Sequence, residues 1–279
     1  MNILEAIKIG SNLLREKNIP SHILDSELLL SKTLNKSREK ILTNLEKKIV
    51  KKNFSIFKGY LKRRSLHEPI AYILEEKEFW SKKFKVNKDT LIPRPETELL
   101  VNELLNIYGK KKISILDIGT GTGCIIVSLL SDLKKSIGVG IDISKKAILM
   151  AKINAKNHNI NNRIRFFNKS IENIFNIKFD LIVSNPPYIE RKAIKNLSDD
   201  IKRYEPRMAL DGGNDGLDLI KKVIYKSKYI LKIKGTLALE IGNEQINEVS
   251  KILIDNNFRI RKVIKDFKNN IRCVIAYYK

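Results

Sequence analysis

The sequence predicts an α/β protein, in which a small N-terminal helical domain precedes a Rossmann-like, doubly wound sheet of seven strands with a terminal antiparallel hairpin. Three observations predict this fold class. Up to about residue 68, apolar residues recur at three- and four-residue spacing, as in amphipathic helices. Beyond residue 112, apolar strand-like runs alternate with helical stretches. The last two strand-like runs leave no room for a crossover helix, so they should pair antiparallel.

We expect three segments: a helical domain at residues 1–73, a β-hairpin linker at 74–92, and the sheet domain at 93–279. The linker run EFWSKKFKVNKDTLIP alternates apolar and polar residues around a polar centre. Two prolines introduce the helix that follows, and Pro95 can occupy its first turn, where the missing N–H costs nothing. Arg63 and Arg64 end a helix of the first domain, where we expect a solvated helix end rather than a ligand site.

The strands of the sheet domain are predicted from seven runs, which read in chain order ISILDIG, IGVGIDI, IRFFN, FDLIVSN, GTLALEIG, FRIRKVIKDF and RCVIAYY. The first of these runs are almost wholly apolar, as is typical of parallel strands covered on both faces. Helices are predicted after Gly123, after Ser144, at residues 215–231 and at residues 245–256. This alternation is typical of βαβ units that build a mainly parallel sheet.

The chain of 279 residues is strongly basic, with 54 Lys and Arg against 31 Asp and Glu and a formal net charge of +23. One interpretation is an anionic partner such as nucleic acid. The other is a lysine-rich composition bias, which we favour because the basic residues are dispersed along the whole chain. The absence of a long apolar run or a signal-peptide pattern predicts a cytoplasmic protein with no membrane partner. Cys124 and Cys273 lie in apolar runs and predict buried thiols without a metal site.

A glycine-rich motif, LDIGTGTG at residues 116–123, follows the first strand of the sheet and opens a helix. Such a loop lets a ligand lie against main-chain N–H groups at a helix N-terminus. Asp142 ends the next strand, where a carboxylate can accept both hydroxyls of a ribose. Together they favour an adenosyl ligand, and the alternative is a tight βα turn with Asp142 as a helix cap. The candidate cofactor-binding residues are Gly119, Thr120, Gly121, Thr122, Gly123 and Asp142.

A second motif, Asn185-Pro186-Pro187-Tyr188, follows the fourth strand and therefore lies at the same edge of the sheet as the glycine loop. The prolines hold Asn185 in an extended conformation. The side-chain oxygen of Asn185 and the main-chain carbonyl of Pro186 can then accept both hydrogens of an –NH2 group on a planar system. Tyr188 would pack on that planar group. Because the lone pair of such a nitrogen is delocalised, orientation matters more than a strong base. The motif predicts methylation of an amide or amine nitrogen.

With these motifs in place, the sequence resembles the release factor glutamine methyltransferases, the HemK/PrmC family. The resemblance rests on EPIAYILEEKEFW at residues 68–80, IPRPETELL at 92–100, NPPYI at 185–189 and YEPRMALDGGNDGL at 204–217. It covers nearly the whole chain and is weakest in the first sixty or so residues. It implies a methyltransferase sheet, S-adenosylmethionine as cofactor, and a helical N-terminal domain that grips a protein substrate. The implied acceptor is the glutamine of the Gly-Gly-Gln motif of class I peptide-chain release factors.

The resemblance also implies roles for individual residues. Asn185, Pro186 and Tyr188 would be catalytic, and these three with Pro187 would bind the glutamine amide. Asn185 would also lie close to the methyl donor. The segment at 94–98 would border the cofactor pocket, and Glu205, Arg207 and the loop at 211–216 would shape the mouth of the site. The chain departs from the family pattern at one position. Such enzymes often carry an acid followed by a large apolar or aromatic residue next to the adenine, and here Ser170 stands in place of the acid and is followed by Ile171. Both remain candidate cofactor-binding residues.

Two other functions compete with this one. A nucleic-acid amino-methyltransferase, acting on adenine, guanine or cytosine, would share the Asn-Pro-Pro-Tyr chemistry and suit the basic charge. Against it, the sequence shows no target-recognition domain and no aromatic-rich surface for base stacking. A non-catalytic binding protein would not need both motifs intact. We therefore expect class I release factors as partners, no specific nucleic acid, no metal and a monomeric protein.

Overall fold

A computed structural model describes residues 1–174 and 177–279. Its helices, in chain order, are α1 (Ile3–Glu16), α2 (His22–Leu34), α3 (Arg38–Leu42), α4 (Lys51–Ser65), α5 (Ile70–Leu74), α6 (Thr97–Tyr108), α7 (Cys124–Asp132), α8 (Lys145–Asn157), α9 (Asp199–Tyr204), α10 (Asp218–Ile230) and α11 (Ile246–Asp255). Its strands are β1 (Glu76–Phe79), β2 (Lys82–Lys85), β3 (Ser114–Ile118), β4 (Ile137–Asp142), β5 (Ile164–Asn168), β6 (Phe179–Ser184), β7 (Leu231–Glu240), β8 (Phe258–Lys265) and β9 (Ile271–Tyr278). The chain divides into two compact units, one of residues 1–76 with 198–204 and one of 77–197 with 205–279.

The first unit is helical, as the apolar spacing predicts. Its α1 begins with a capping box, in which the Asn2 side chain accepts the N–H of Glu5 and the Glu5 carboxylate accepts the N–H of Asn2. Gly10 lets the helices approach closely, because a Cβ at this position would lie 2.4 Å from Ser26 Oγ and 2.8 Å from the Phe57 ring. The apolar faces of α1, α2 and α4 thus enclose the core of this unit.

The expectation for Arg64 was wrong, because this side chain is buried rather than solvated. Its Nε lies 2.7 Å from Oδ2 of Asp25, which is also buried. Asp25 in turn accepts a hydrogen bond from the Ser21 hydroxyl at 2.9 Å. A buried guanidinium needs such a partner, since an unpaired buried charge is strongly destabilising. Arg63 forms a two-pronged ion pair with Glu68, at 2.8 and 2.5 Å.

The second unit contains the predicted seven-stranded sheet, with the strand order β5-β4-β3-β6-β7-β9-β8. Strands β3 to β7 pair in parallel, and β9 pairs antiparallel with both β7 and β8, which confirms the terminal hairpin. Two apolar clusters cover the opposite faces of the sheet. A separate two-stranded hairpin joins β1 to β2 through Trp80 and Ser81, both at φ 52°. Positive φ at both residues is typical of a type I′ turn.

The strand order reverses at β3, because β4 and β5 continue on one side of it and β6 and β7 on the other. Residues Ile118 and Ser184 are register partners at the carboxyl ends of β3 and β6, and the Ser184 hydroxyl donates to the Ile118 carbonyl at 2.7 Å. Ligands of open α/β sheets bind in the crevice outside the strand ends at such a switch point. The glycine loop leaves β3 at this point, and the Asn-Pro-Pro-Tyr motif leaves β6 beside it.

Some element boundaries differ from the prediction. Helix α6 begins at Thr97, so Pro95 lies in a turn before the helix rather than in its first turn. The Pro95 carbonyl accepts the N–H of Glu98 at 3.0 Å, which closes that turn. Strand β7 begins at Leu231, where α10 has just ended, and not at Gly235. In the described part of the chain, no helix has the length and apolar character needed to cross a membrane.

Candidate active site

A cleft of ≈ 280 Å³ opens at the switch point of the sheet, within the second unit. It is lined by the loops after β3, β4, β5 and β6 with the first residues of α7 and α8, by the chain before and at the start of α6, by the chain around residue 208, and by the start of α10. Of the residues selected from the sequence, those that line the cleft are Gly119, Thr120, Gly121, Thr122, Asp142, Ser170, Ile171, Asn185 and Pro187. The fold therefore brings both predicted motifs to one cavity.

The glycine loop turns sharply between β3 and α7. Gly119, Gly121 and Gly123 all have positive φ, at 68°, 54° and 78°, a region that other residues enter only with strain. Buried Asp117 anchors the loop, because its Oδ2 accepts the Thr120 hydroxyl at 2.6 Å. Burial raises the pKa of Asp117 to about 7. The loop is thus held by a side chain of β3, while Gly119 and Gly121 line the cleft.

Asp142 holds the glycine loop and the start of α8 together. One carboxylate oxygen accepts the N–H of Gly121 at 3.0 Å and the other accepts the N–H of Ser144 at 2.8 Å. Burial raises the pKa of Asp142, against the opposing effect of these two backbone donors. The cap of α8 is Ser144, whose hydroxyl accepts the N–H of Ala147 at 3.2 Å. An ionised carboxylate has about four acceptor sites, so Asp142 retains acceptor capacity toward a ligand in the cleft.

At the end of β5, Ser170 caps a short 3-10 helix that begins at Ile171. The Ser170 hydroxyl lies 3.3 Å from Oε2 of Glu172, whose other oxygen pairs with Lys222 at 3.1 Å. Ile171 is buried, whereas Ile143, after Asp142, is 60% exposed although it lines the cleft. An apolar side chain exposed in a cleft offers a surface on which a planar ligand can pack.

The Asn-Pro-Pro-Tyr segment follows β6 and lies close to the chain at Gly216. The Gln245 side-chain nitrogen donates to the Tyr188 carbonyl at 3.0 Å and to the Gly216 carbonyl at 3.2 Å. Gly216 has φ 73°, and a Cβ there would lie 2.5 Å from the Tyr188 carbonyl oxygen. The motif is therefore fixed by its backbone as well as by its prolines. The described residues that line the cleft do not include Gly123, Pro186 and Tyr188.

A carboxylate that was not predicted as a site residue contacts the motif. Glu240 ends β7 and is 1% exposed. Its Oε2 accepts the Thr97 hydroxyl at 2.5 Å, and its Oε1 accepts the Tyr188 hydroxyl at 3.4 Å. The Asn185 side-chain nitrogen donates to the same Thr97 oxygen at 3.3 Å. Burial raises the pKa of Glu240 to about 7 and also raises the pKa of Tyr188. An acidic residue at the end of the otherwise apolar run GTLALE was the available sequence signal.

A second interaction near the cleft joins the segment predicted to border the cofactor pocket to a residue of the predicted mouth. Buried Glu205 accepts the Arg94 guanidinium at 2.6 Å and the N–H of Ile92 at 3.2 Å. Arg94 and Thr97 line the cleft, whereas the Glu98 carboxylate accepts the N–H of Trp80 at 3.0 Å. Of the other mouth residues, Arg207 lies 3.7 Å from Asp211. Cys273 is buried, as predicted, whereas Cys124 is only half-buried and lines the cleft.

Two family models match the chain. The model described as PrmC N-terminal domain matches residues 5–74, and the model described as Methyltransferase small domain matches residues 95–203. Among solved structures, the methyltransferase from Pyrococcus furiosus superposes with a TM-score of 0.53 at 19% identity, over 70% of this chain and 88% of its own. The hMettl16 catalytic domain superposes with a TM-score of 0.57 at 16% identity, over 78% of this chain and 81% of its own. At these identities the superpositions show the fold.

The fold and the matched domains define this protein as a methyltransferase. Its sequence relatives are more specific. The release factor glutamine methyltransferase of Clostridium acetobutylicum is 39% identical over 99% of this chain and 98% of its own length. That of Buchnera aphidicola is 40% identical over 99% of this chain and 98% of its own length. The chain belongs to the release factor glutamine methyltransferase family.

Proposed function

We propose that this enzyme transfers a methyl group from S-adenosylmethionine to the side-chain amide nitrogen of the glutamine in the Gly-Gly-Gln motif of class I release factors. The observation that carries the proposal is the meeting of the glycine loop and Asn185 in one cleft at the switch point of the sheet. The names of the full-length relatives support a release factor glutamine as the acceptor. S-adenosylmethionine would supply an electrophilic methyl group carried on a sulfonium.

The residues of the cleft fit this cofactor. A Cβ at Gly119 would meet nothing within 4 Å among the described residues, so the loop backbone faces open space in which a ligand can approach it closely. Asp142 retains acceptor capacity for ribose hydroxyls. Ile143 and Ile171 offer apolar contacts for a base, and the Ser170 hydroxyl offers a polar one. We assign these residues, with Gly119 to Gly123, to cofactor binding.

For the acceptor, we propose that the Asn185 side-chain oxygen and the Pro186 carbonyl accept the two hydrogens of the glutamine amide. An amide nitrogen is a weak nucleophile, so its orientation and the dipoles aimed at the charge developing on it must supply the catalysis. Pro187 and Tyr188 would complete the binding of the amide. Tyr188 is anchored by its hydroxyl and by its carbonyl, which keeps the segment rigid.

We further propose that residues 1–73 recognise the protein substrate, with 74–92 as a hairpin linker and 93–279 as the catalytic domain. Exposed apolar side chains on the first two helices support this role for the helical segment, since such side chains are available to a partner. They are Ile9 and Leu13 on α1, and Ile23 and Leu24 on α2.

Mass spectrometry of a class I release factor incubated with the enzyme and S-adenosylmethionine tests the proposal directly. We expect a gain of one methyl group on the peptide that contains Gly-Gly-Gln. No methylation there, with cofactor binding established separately by calorimetry, would contradict the proposed acceptor. Methylation of ribosomal RNA or DNA instead would support the nucleic-acid alternative.

Two variants separate the two halves of the site. Asn185→Ala is expected to abolish methyl transfer while cofactor affinity stays within about threefold, because the lost contact matters in the productive geometry. Asp142→Ala is expected chiefly to raise the cofactor dissociation constant, by about tenfold or more, because the charge-assisted contact between this carboxylate and the cofactor is lost. Near-normal turnover of Asn185→Ala would refute the role assigned to this residue.

A further inference from the structure

We infer that Glu240 and Thr97 are positioning residues that set the orientation of the Asn185 side-chain amide. The inference rests on the proposed function of Asn185. It assigns to two residues outside the Asn-Pro-Pro-Tyr motif the task of presenting the amide oxygen of Asn185, rather than its nitrogen, to the acceptor. Its basis is a directed chain of hydrogen bonds that runs from Asn185 through Thr97 to a buried carboxylate.

The hydrogen-bond chain begins at Glu240. Above its pKa of about 7 this carboxyl group is ionised, and an ionised carboxylate can only accept hydrogen bonds. Its two oxygens face different hydroxyls, that of Thr97 at 2.5 Å and that of Tyr188 at 3.4 Å. The shorter contact is typical of a hydroxyl that donates to a charged acceptor. Since Glu240 is 1% exposed, water does not compete for that donor.

The single hydrogen of the Thr97 hydroxyl is therefore committed to Glu240. The Thr97 oxygen can then only accept from its second neighbour, the Asn185 side chain at 3.3 Å. An amide oxygen facing Thr97 would place two acceptors against each other, so Asn185 must turn its nitrogen to Thr97. The amide oxygen is then the atom left for the acceptor amide, which presents hydrogens. A side-chain amide that nothing orients can flip. The hydrogen bonds that link Glu240, Thr97 and Asn185 therefore select the productive one of its two orientations.

The arrangement also ties together three distant parts of the chain. Thr97 is the first residue of α6, Glu240 the last of β7, and Asn185 follows β6. Thr97 is itself 2% exposed and lines the cleft, so its hydroxyl lies at the boundary between the buried carboxylate and the site. The side chains are thus held by three separately anchored elements, which suits precise positioning.

The test uses the full-length enzyme with a release factor substrate, and compares Thr97→Val, Thr97→Ser and Glu240→Met. Valine and methionine keep the volume and remove the hydrogen bond, whereas serine keeps the hydroxyl. Thr236→Val is the matched control, because Thr236 is a buried threonine on the same strand as Glu240, at 5% exposure, and is not a residue of the cleft lining. For each variant, kcat, KM for the release factor and the cofactor dissociation constant are measured.

We expect Thr97→Val and Glu240→Met to lower kcat by about tenfold or more, with KM and cofactor affinity within about threefold of the wild type. Thr97→Ser should retain kcat within about threefold, and Thr236→Val should match the wild type. Wild-type turnover of Thr97→Val would overturn the inference. Failure of serine to restore activity, or an equal loss in Thr236→Val, would also overturn it, since either result would indicate a general structural effect.

An independent readout does not require methyl transfer. In ¹⁵N spectra, the Asn185 side-chain NH2 is identified by its absence in Asn185→Ala. We expect one of its hydrogens to be protected from exchange in the wild type and in Thr97→Ser, and not in Thr97→Val. Equal exchange in all three would overturn the inference. If the wild type shows the protected hydrogen but methylates no release factor, the proposed function fails while the orientation of Asn185 stands.

Discussion

Ser170 stands where the resemblance to the family leads us to expect an acid next to the adenine, and its surroundings allow the consequence to be tested. It lines the cleft and caps the short helix that begins at Ile171. Aspartate caps helices as well as serine does, so Ser170→Asp should preserve the local structure. An ionised acceptor would bind an adenine amino group more strongly than a neutral hydroxyl. We expect the cofactor dissociation constant to fall by about three- to tenfold, measured by calorimetry.

The charge near Ser170 determines which control is needed. Glu172 lies 3.3 Å from the Ser170 hydroxyl and would repel an aspartate, but Lys222 pairs with Glu172 and lies at the cleft. Ser170→Asn has the shape of aspartate without its charge. It therefore shows how much of the change in the cofactor dissociation constant arises without the added charge. A dissociation constant that is unchanged or higher in Ser170→Asp would contradict the placement of Ser170 next to the adenine.

At the residue scale, motifs within a short stretch of chain could be predicted, and contacts between distant stretches could not. Asn185 and the glycine loop each follow a strand in a recognisable spacing, and both line the cleft. The hydrogen bond from Thr97 to Glu240 joins residues separated by 143 positions. In the sequence, Thr97 stands at a helix start introduced by two prolines, and nothing in that stretch indicates a contact with a distant residue. Its role depends on β7 lying beside β6, which is decided by the packing of the whole sheet.

At the scale of elements, the glycines of β4 show what the apolar pattern leaves out. The run IGVGID reads as a buried strand in spite of two glycines, which usually weaken strands. In the structure, a Cβ at Gly138 would lie 2.7 Å from the Ile126 side chain, and one at Gly140 would lie 2.6 Å from the Phe166 ring. The glycines are required because α7 and Phe166 pack directly on the strand.

Gly140→Ala should therefore destabilise the second unit, because the buried Phe166 ring must shift to admit the methyl group. We expect a loss of about 1–3 kcal/mol in the free energy of unfolding. The fluorescence of Trp80, the single tryptophan, reports on this unit during unfolding in urea, since its indole donates to Asp132 at 2.7 Å.

The opposite result is expected for Gly59→Ala, the matched substitution in the first unit. Gly59 lies within α4, and a Cβ there would meet no described atom within 4 Å. Alanine should stabilise the helix by up to about 1 kcal/mol. Unfolding measured by far-ultraviolet circular dichroism tests this. If Gly140→Ala were as stable as the wild type, the close packing of Phe166 on β4 would be wrong.

At the scale of the whole molecule, the order of the elements predicted the class of fold but not the membership of each unit. Residues 198–204 belong to the helical unit although more than a hundred residues separate them from the rest of it. The Tyr204 hydroxyl donates to the Leu66 carbonyl at 2.8 Å. A short polar helix such as α9 carries no apolar stripe that would assign it to one core or the other. Its place follows from tertiary contacts, which sequence periodicity does not contain.

The net charge of +23 is also a property of the whole molecule, and it leads to the last prediction. The basic residues are dispersed along the chain, and some lysines pair with carboxylates, as Lys232 does with Asp180 and Lys262 with Glu103. We therefore expect weak nucleic-acid binding that does not depend on sequence. Two unrelated RNA oligonucleotides of equal length should show dissociation constants within about threefold of each other, and both should weaken steeply with salt, as expected for counterion release.

Fluorescence anisotropy of both oligonucleotides over a salt series makes this measurement, with methylation of each followed in parallel. One RNA that binds about tenfold tighter than the other, keeps that preference at physiological salt and gains a methyl group would contradict the prediction, because counterion release alone carries no sequence information. That result would give the basic charge a selected role. Equal and salt-sensitive binding without methylation would instead make the charge a general attraction, and would leave recognition of the acceptor to the cleft and to the helical unit.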